Sequence, residues 1–168
     1  MSHNSIWAAA IVTALSATAC QRAPAPVPPD ILEKRRLSED VRHVLDNADR
    51  LELFSIGVPR AGAPALPTES FQTCTLLGKA LIIDAPERKE LLAALYKGIE
   101  ESNGPANCFE PGFGLRATTN GETAELLICF ECLQINVTFH GEARKLYTSD
   151  SPLEKFNAAL TRAGVALP

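Results

Sequence analysis

The sequence predicts an α+β domain: an antiparallel sheet of about five strands with two helices packed on one face, plus an N-terminal amphipathic helix. Three observations carry that expectation. Apolar residues recur at helical spacing behind capping residues, two dipeptides suited to tight hairpins divide the C-terminal half, and the stretches between them are apolar or β-branched. With 168 residues, 46% of them hydrophobic, the chain is long enough to bury a real core. Its 16 basic and 20 acidic side chains leave a formal charge of −4, which gives no electrostatic footprint for nucleic acid. Five cysteines are too few for a small disulfide-dense scaffold, and no catalytic motif stands out.

Leu37, Val41, Val44, Leu45 and Ala48 are spaced as one helical face, so a helix is expected over Ser38 to Ala48 with Ser38 as N-cap. Leu51 to Val58 reads as a strand. Val58 to Ser70, with three prolines and a glycine, reads as a surface loop, and Phe71 to Ile83 as a second strand interrupted near Gly78. Asp84-Ala85-Pro86-Glu87 opens the clearest helix, with Asp84 as cap and Leu91, Leu92, Leu95 and Ile99 as its apolar stripe; Asn103-Gly104-Pro105 ends it. A second capping box at Ser151-Pro152-Leu153-Glu154 starts the last helix, which buries Leu153, Phe156, Leu160 and Ala163 and stops at Gly164.

Between these helices lies a meander. Asn120-Gly121 fits a type I′ turn because both positions need positive φ, and His140-Gly141 is a second turn of that kind. A two-residue loop at Asn120-Gly121 pairs Thr119 with Glu122, Arg116 with Glu125 and Leu115 with Leu126. Glu125 to Phe139 is then expected as one long strand. Leu126 to Phe130 is apolar on both faces; beyond it Gln134, Asn136 and Thr138 form a wet face.

Within such a strand Cys129-Phe130-Glu131-Cys132 is a CxxC whose cysteines point to opposite faces, roughly 10 Å apart, and cannot bridge without a bend. The expected disulfide is therefore Cys108–Cys132 or Cys108–Cys129, with Cys74 as a less certain partner, and a bulge at Pro111-Gly112 would bring Cys108 to the right side of the pleat. A metal site would need Cys108, Cys129 and Cys132 with Cys74 or His140, and nothing in the spacing enforces it; none is expected, and no cofactor. Glu131, a carboxylate in an apolar strand, is a further candidate: an acid in an apolar setting, or a partner for Arg116.

At the N-terminus, Ile6 to Leu15 is an apolar run too short to be a stable membrane span, followed by small residues up to Cys20. Ala17-Thr18-Ala19-Cys20 resembles the lipobox of bacterial lipoprotein precursors. The resemblance implies a signal peptide over residues 1–19, cleavage before Cys20, and a thioether from that cysteine to diacylglycerol. It also implies anchoring of the domain to the lipid bilayer in the cell envelope, with Gln21 directing it to the outer membrane, facing the periplasm. The tether follows at residues 20–29, where four prolines between Ala23 and Pro29 favour extended polyproline II, holding the domain at 30–168 roughly 20 Å from the bilayer.

Cys108-Phe109-Glu110-Pro111-Gly112-Phe113-Gly114 followed by Ile128-Cys129-Phe130-Glu131-Cys132 resembles a block of uncharacterised bacterial proteins, in which a basic residue and a histidine stand where Gly112 and Phe113 stand here. That resemblance implies no activity. The sequence therefore predicts a monomeric envelope lipoprotein with a non-catalytic role, binding an envelope partner through the loop at Val58 to Thr68 or through Gln134, Asn136 and Thr138. The alternative is a thiol-redox or metal-binding protein using Cys108, Cys129 and Cys132.

Overall fold

The computed structural model describes residues 33–57, 70–72 and 74–168. The expected signal peptide, Cys20, the expected tether and the stretch Val58 to Thr68 expected as a loop lie outside the described residues. In chain order the elements are α1 (Glu39–Asp46), β1 (Arg50–Ile56), β2 (Ser70–Phe71), β3 (Cys74–Leu81), α2 (Ala85–Glu100), β4 (Phe113–Thr119), β5 (Glu122–Cys129), β6 (Gln134–Phe139), β7 (Glu142–Tyr147) and α3 (Leu153–Arg162). The expected α+β class holds. The sheet has six full strands rather than five, in the antiparallel order β3-β1-β4-β5-β6-β7, and the two-residue β2 pairs with the outer side of β3.

Each helix begins as its sequence dictates, with one exception. The Ser38 side chain accepts from the Val41 amide, and Asp84 accepts from the Glu87 amide at 2.9 Å with a proline in the first turn. The capping box expected for α3 does not form. Its N-cap is Pro152, and Ser151 Oγ instead meets Ser149 Oγ at 2.8 Å and donates to Glu101 at 3.3 Å, so the hydroxyl is used between elements rather than within the helix. Helix α3 buries Phe156, Ala159 and Leu160; Leu153 is half-buried and Ala163 exposed.

All three helices cover one face of the sheet. Val41, Val44 and Leu45 of α1, Leu91, Leu92, Leu95 and Ile99 of α2 and Phe156 and Leu160 of α3 share one core with Leu53, Leu115, Leu126, Ile128 and Ile135 from successive strands. Tyr96 donates to Asp46 at 2.7 Å, tying α2 to α1; burial, with help from that carboxylate, pushes its phenol pKa up. Gly98 sits in the last turn of α2 because the turn before α3 crosses it: its carbonyl accepts from the Ser149 amide at 2.8 Å, and a Cβ there would collide with Pro152 and Thr148.

The Asn120-Gly121 hairpin has the predicted register, with Thr119 opposite Glu122, Arg116 opposite Glu125 and Leu115 opposite Leu126. Asn120 at φ 49° and Gly121 at φ 83° supply the two positive dihedrals; His140 at 50° and Gly141 at 80° do the same for the second predicted turn. The interruption expected near Gly78 is a bulge at Leu77, where β1 pairs Ser55 with Gly78 but Ile56 with Leu76.

The long strand expected from Glu125 to Phe139 is not one strand. It ends at Cys129, residues 130–133 turn, and β6 returns antiparallel from Gln134, pairing with Cys129. Leu133 takes a positive φ of 55° to close the turn. Phe130 anchors it, its ring packing edge-on to Phe113 and Phe156 at centroid distances of 5.3 and 5.1 Å.

Candidate functional site

The turn at 130–133 reverses the expectation for the CxxC. The bend that a strand could not provide brings the Cys129 and Cys132 Cα atoms to 5.1 Å, and the two form a disulfide. The expected pairing through Cys108 is replaced by proximity: Cys108 is a free thiol whose Sγ lies 2.9 Å from Cys132 Sγ. Three sulfurs therefore cluster around Cys132, with Cys108 exposed and Cys129 and Cys132 at 3% and 2% exposure.

Backbone amides address both sulfurs of the disulfide. The Cys132 N–H donates to Cys129 Sγ at 3.1 Å, and the Glu110 N–H donates to Cys132 Sγ at 3.3 Å. The segment bearing Cys108 is pinned to the hairpin by Gln134, whose Nε2 donates to the carbonyls of Ala106 and Cys108, each at 2.7 Å, and by the Ala106 amide bonding to the Cys132 carbonyl at 3.0 Å. Gln134 was expected on a wet face; it is 4% exposed because residues 106–108 fold back over it. Sequence reading had no signal for this contact, which joins positions far apart in the chain.

The remaining candidates separate. Cys74 is a half-buried free thiol at the start of β3, packed with Phe54, Phe71 and Leu127. It shares with Cys129 the wall of an open cleft of about 640 Å³, lined also by Ile56, Phe113, Glu131 and Leu153. Glu131 is exposed at the hairpin tip rather than set in an apolar strand, and Arg116 is engaged elsewhere. His140 occupies the turn at the opposite end of β6, about 20 Å of strand away, with its ring stacked on Phe139 and Nε2 at 3.2 Å from Glu122. It cannot join the cysteines around one metal. Among the described residues no cluster of three or more histidine, cysteine or carboxylate side chains is arranged to hold a metal ion.

Opposite the helices, the sheet presents a polar array. Arg116 meets the Glu125 carboxylate at 2.7 Å, lies over the rings of Phe54 and Phe71, and reaches Glu52 at 3.9 Å; Arg50 bonds Glu52 at 2.8 Å, and Gln72 donates to Glu125 at 3.2 Å. Phe71 reaches this face because Gly114 leaves room for its ring. Asn136 and Thr138, half-buried, continue the array toward β7.

The hydrogen bond from Arg50 holds the Glu52 carboxyl below its ordinary value, with the charges of Arg50, Arg116 and Lys79 adding to it against the opposing effect of burial. A depressed folded-state value means that Glu52 stabilises the fold fully above the unfolded carboxyl pKa and loses that contribution as pH falls through the folded one. Thermal unfolding followed from neutral pH down to about pH 3 is expected to show a smaller loss of Tm in Glu52→Gln than in the parent chain. Equal losses in the two would remove Glu52 from the acid response.

These features define an α+β domain with one sheet face covered by helices, the other bearing none among the described residues, and a three-sulfur thiol–disulfide cluster at one hairpin. Comparison of the chain with protein-family models, with curated proteins and with solved structures finds no match.

Proposed function

We propose that this chain is a lipid-anchored protein of the bacterial envelope whose domain binds another envelope component non-catalytically. The location rests on the small-residue run ending in Cys20 and the proline-rich spacer behind it. The observation that carries the binding role is the one-sided placement of the helices: among the described residues no helix covers the opposite face, where Asn136, Thr138, Arg116 and Glu125 present fixed donors and acceptors on rigid strands.

Two experiments test this. Cys20→Ser is expected to block palmitate incorporation and move the protein from the membrane to the soluble fraction; retention in the membrane would overturn the anchor. A photo-crosslinker at position 136 or 138 should give a discrete adduct in cells that the same probe at the exposed Lys89 of α2 does not. Identical products from both faces would remove the binding surface.

The three-sulfur cluster favours a second reading, in which the domain carries out thiol–disulfide chemistry through Cys108, Cys129 and Cys132. It concerns the hairpin end of the domain and is compatible with binding on the sheet.

A further inference from the structure

We infer that Cys108 is the entry sulfur of a thiol–disulfide exchange site, through which an external dithiol reaches the buried Cys129–Cys132 disulfide; this deepens the thiol reading and rests on it. Three observations combine to give it. Both cysteines of the disulfide are only 2–3% exposed, although Cys129 borders the open cleft, so an external thiol meets the disulfide far less readily than it meets the exposed Cys108. The exposed Cys108 lies with its sulfur 2.9 Å from Cys132, the distance of an attacking rather than a bystander thiol. The arrangement is also built, since Gln134 holds the carbonyls of Ala106 and Cys108 together and the Ala106 amide binds the Cys132 carbonyl.

The chemistry balances without an oxidant. Cys108 gives its proton to solvent and its thiolate attacks Cys132 Sγ; the Cys108–Cys132 bond forms, the Cys129–Cys132 bond breaks, and the electron pair leaves on Cys129, which takes up a proton. That step only relocates the disulfide. The Cys132 N–H already pointing at Cys129 Sγ stabilises the departing thiolate, which speeds its departure. The disulfide now includes an exposed sulfur. One thiolate of an external dithiol attacks Cys108 and displaces Cys132, whose thiolate accepts the Glu110 N–H and then a proton. The second thiolate of the dithiol attacks its own sulfur in the mixed disulfide and frees Cys108. In sum the dithiol loses two electrons and two protons to become a disulfide, and Cys129 and Cys132 gain them as thiols.

The peptides produced by trypsin make the test direct. Cleavage after Lys97, Arg116 and Arg144 puts Cys108 on residues 98–116 and both Cys129 and Cys132 on 117–144. A Cys129–Cys132 bond is then a loop within one peptide, and a Cys108–Cys132 bond a crosslink between two. The full-length lipidated protein in detergent is treated with dithiothreitol as the probe dithiol, quenched in acid, alkylated and mapped without reduction.

The expected result in the parent is a minor population crosslinked between 98–116 and 117–144 and alkylated at Cys129; in Cys129→Ser, which has no thiol at 129, the same crosslink becomes the main form. Reduction of the Cys129–Cys132 disulfide should slow at least about tenfold in both Cys108→Ser and Cys108→Ala, because the intramolecular attack is lost. Reduction at the parental rate in both variants would overturn the entry role while leaving a labile disulfide in place. A disulfide that resists dithiothreitol in the folded parent would overturn the thiol reading itself.

Discussion

Phe156→Ala is expected to lower the free energy of unfolding by about 3–5 kcal/mol, the range for truncating a fully buried aromatic. Phe156 has no exposure and stands edge-on to two other rings, Phe113 at 5.7 Å and Phe130 at 5.1 Å. It joins the last helix to the first residue of β4 and to the turn that closes the CxxC, whose own rings also meet each other at 5.3 Å. Removing the ring leaves a cavity among packed core side chains, so transfer and cavity costs add. Urea unfolding should show a lower midpoint with an unchanged slope. A loss under about 1 kcal/mol, the size of an ordinary surface change, would mean that the three rings are not mutually supporting.

The second large effect is expected at Gln134. Its side-chain amide supplies both hydrogen bonds to the Ala106 and Cys108 carbonyls, so Gln134→Ala should cost about 1–3 kcal/mol through unmet acceptors. Gln134→Glu is the sharper substitution. It keeps the shape but places a carboxylate against two carbonyl oxygens, so at neutral pH it should destabilise more than the alanine. As pH falls and the carboxyl takes a proton it regains a donor, and the gap between the two variants should narrow. Thermal unfolding of both variants at neutral and mildly acidic pH checks this; a glutamate variant as stable as the parent at neutral pH would show that the clamp carries no load.

What could be read from the sequence was local. Asn120-Gly121 announces its turn because few other residues accept two successive positive dihedrals, and once the turn is placed the pairing of Arg116 with Glu125 follows by counting. The first two helix caps are equally local. Phe130 to Leu133 gave no such notice: it contains no glycine, proline or asparagine, and it turns because Phe130 is drawn into the core and Cys129 is bonded to Cys132, with Leu133 adopting the unusual φ. Missing that turn merged two strands into one, put the CxxC cysteines on opposite faces and displaced the disulfide. Gln134 was misread for the same reason, since the segment that buries it belongs to residues 106–108. Ser151 failed as a cap because its hydroxyl meets Ser149, two residues before it, and Glu101, which only the folded chain brings near. Gly98 was opaque until the crossing of Thr148 and Pro152 gave it a reason.

The strand order also divides the molecule by the distance its contacts span along the chain. Within β4 to β7 each strand pairs with the next in sequence across a short turn, whereas β1 reaches β4 over the whole stretch from Ile56 to Phe113. Closing that stretch costs chain entropy that the hairpins do not incur. Refolding is thus expected to run at two tempos, with the meander assembling early and β1, β3 and α2 joining late. The CxxC lies wholly within the early unit, so its disulfide needs nothing from the slow half of the fold to form.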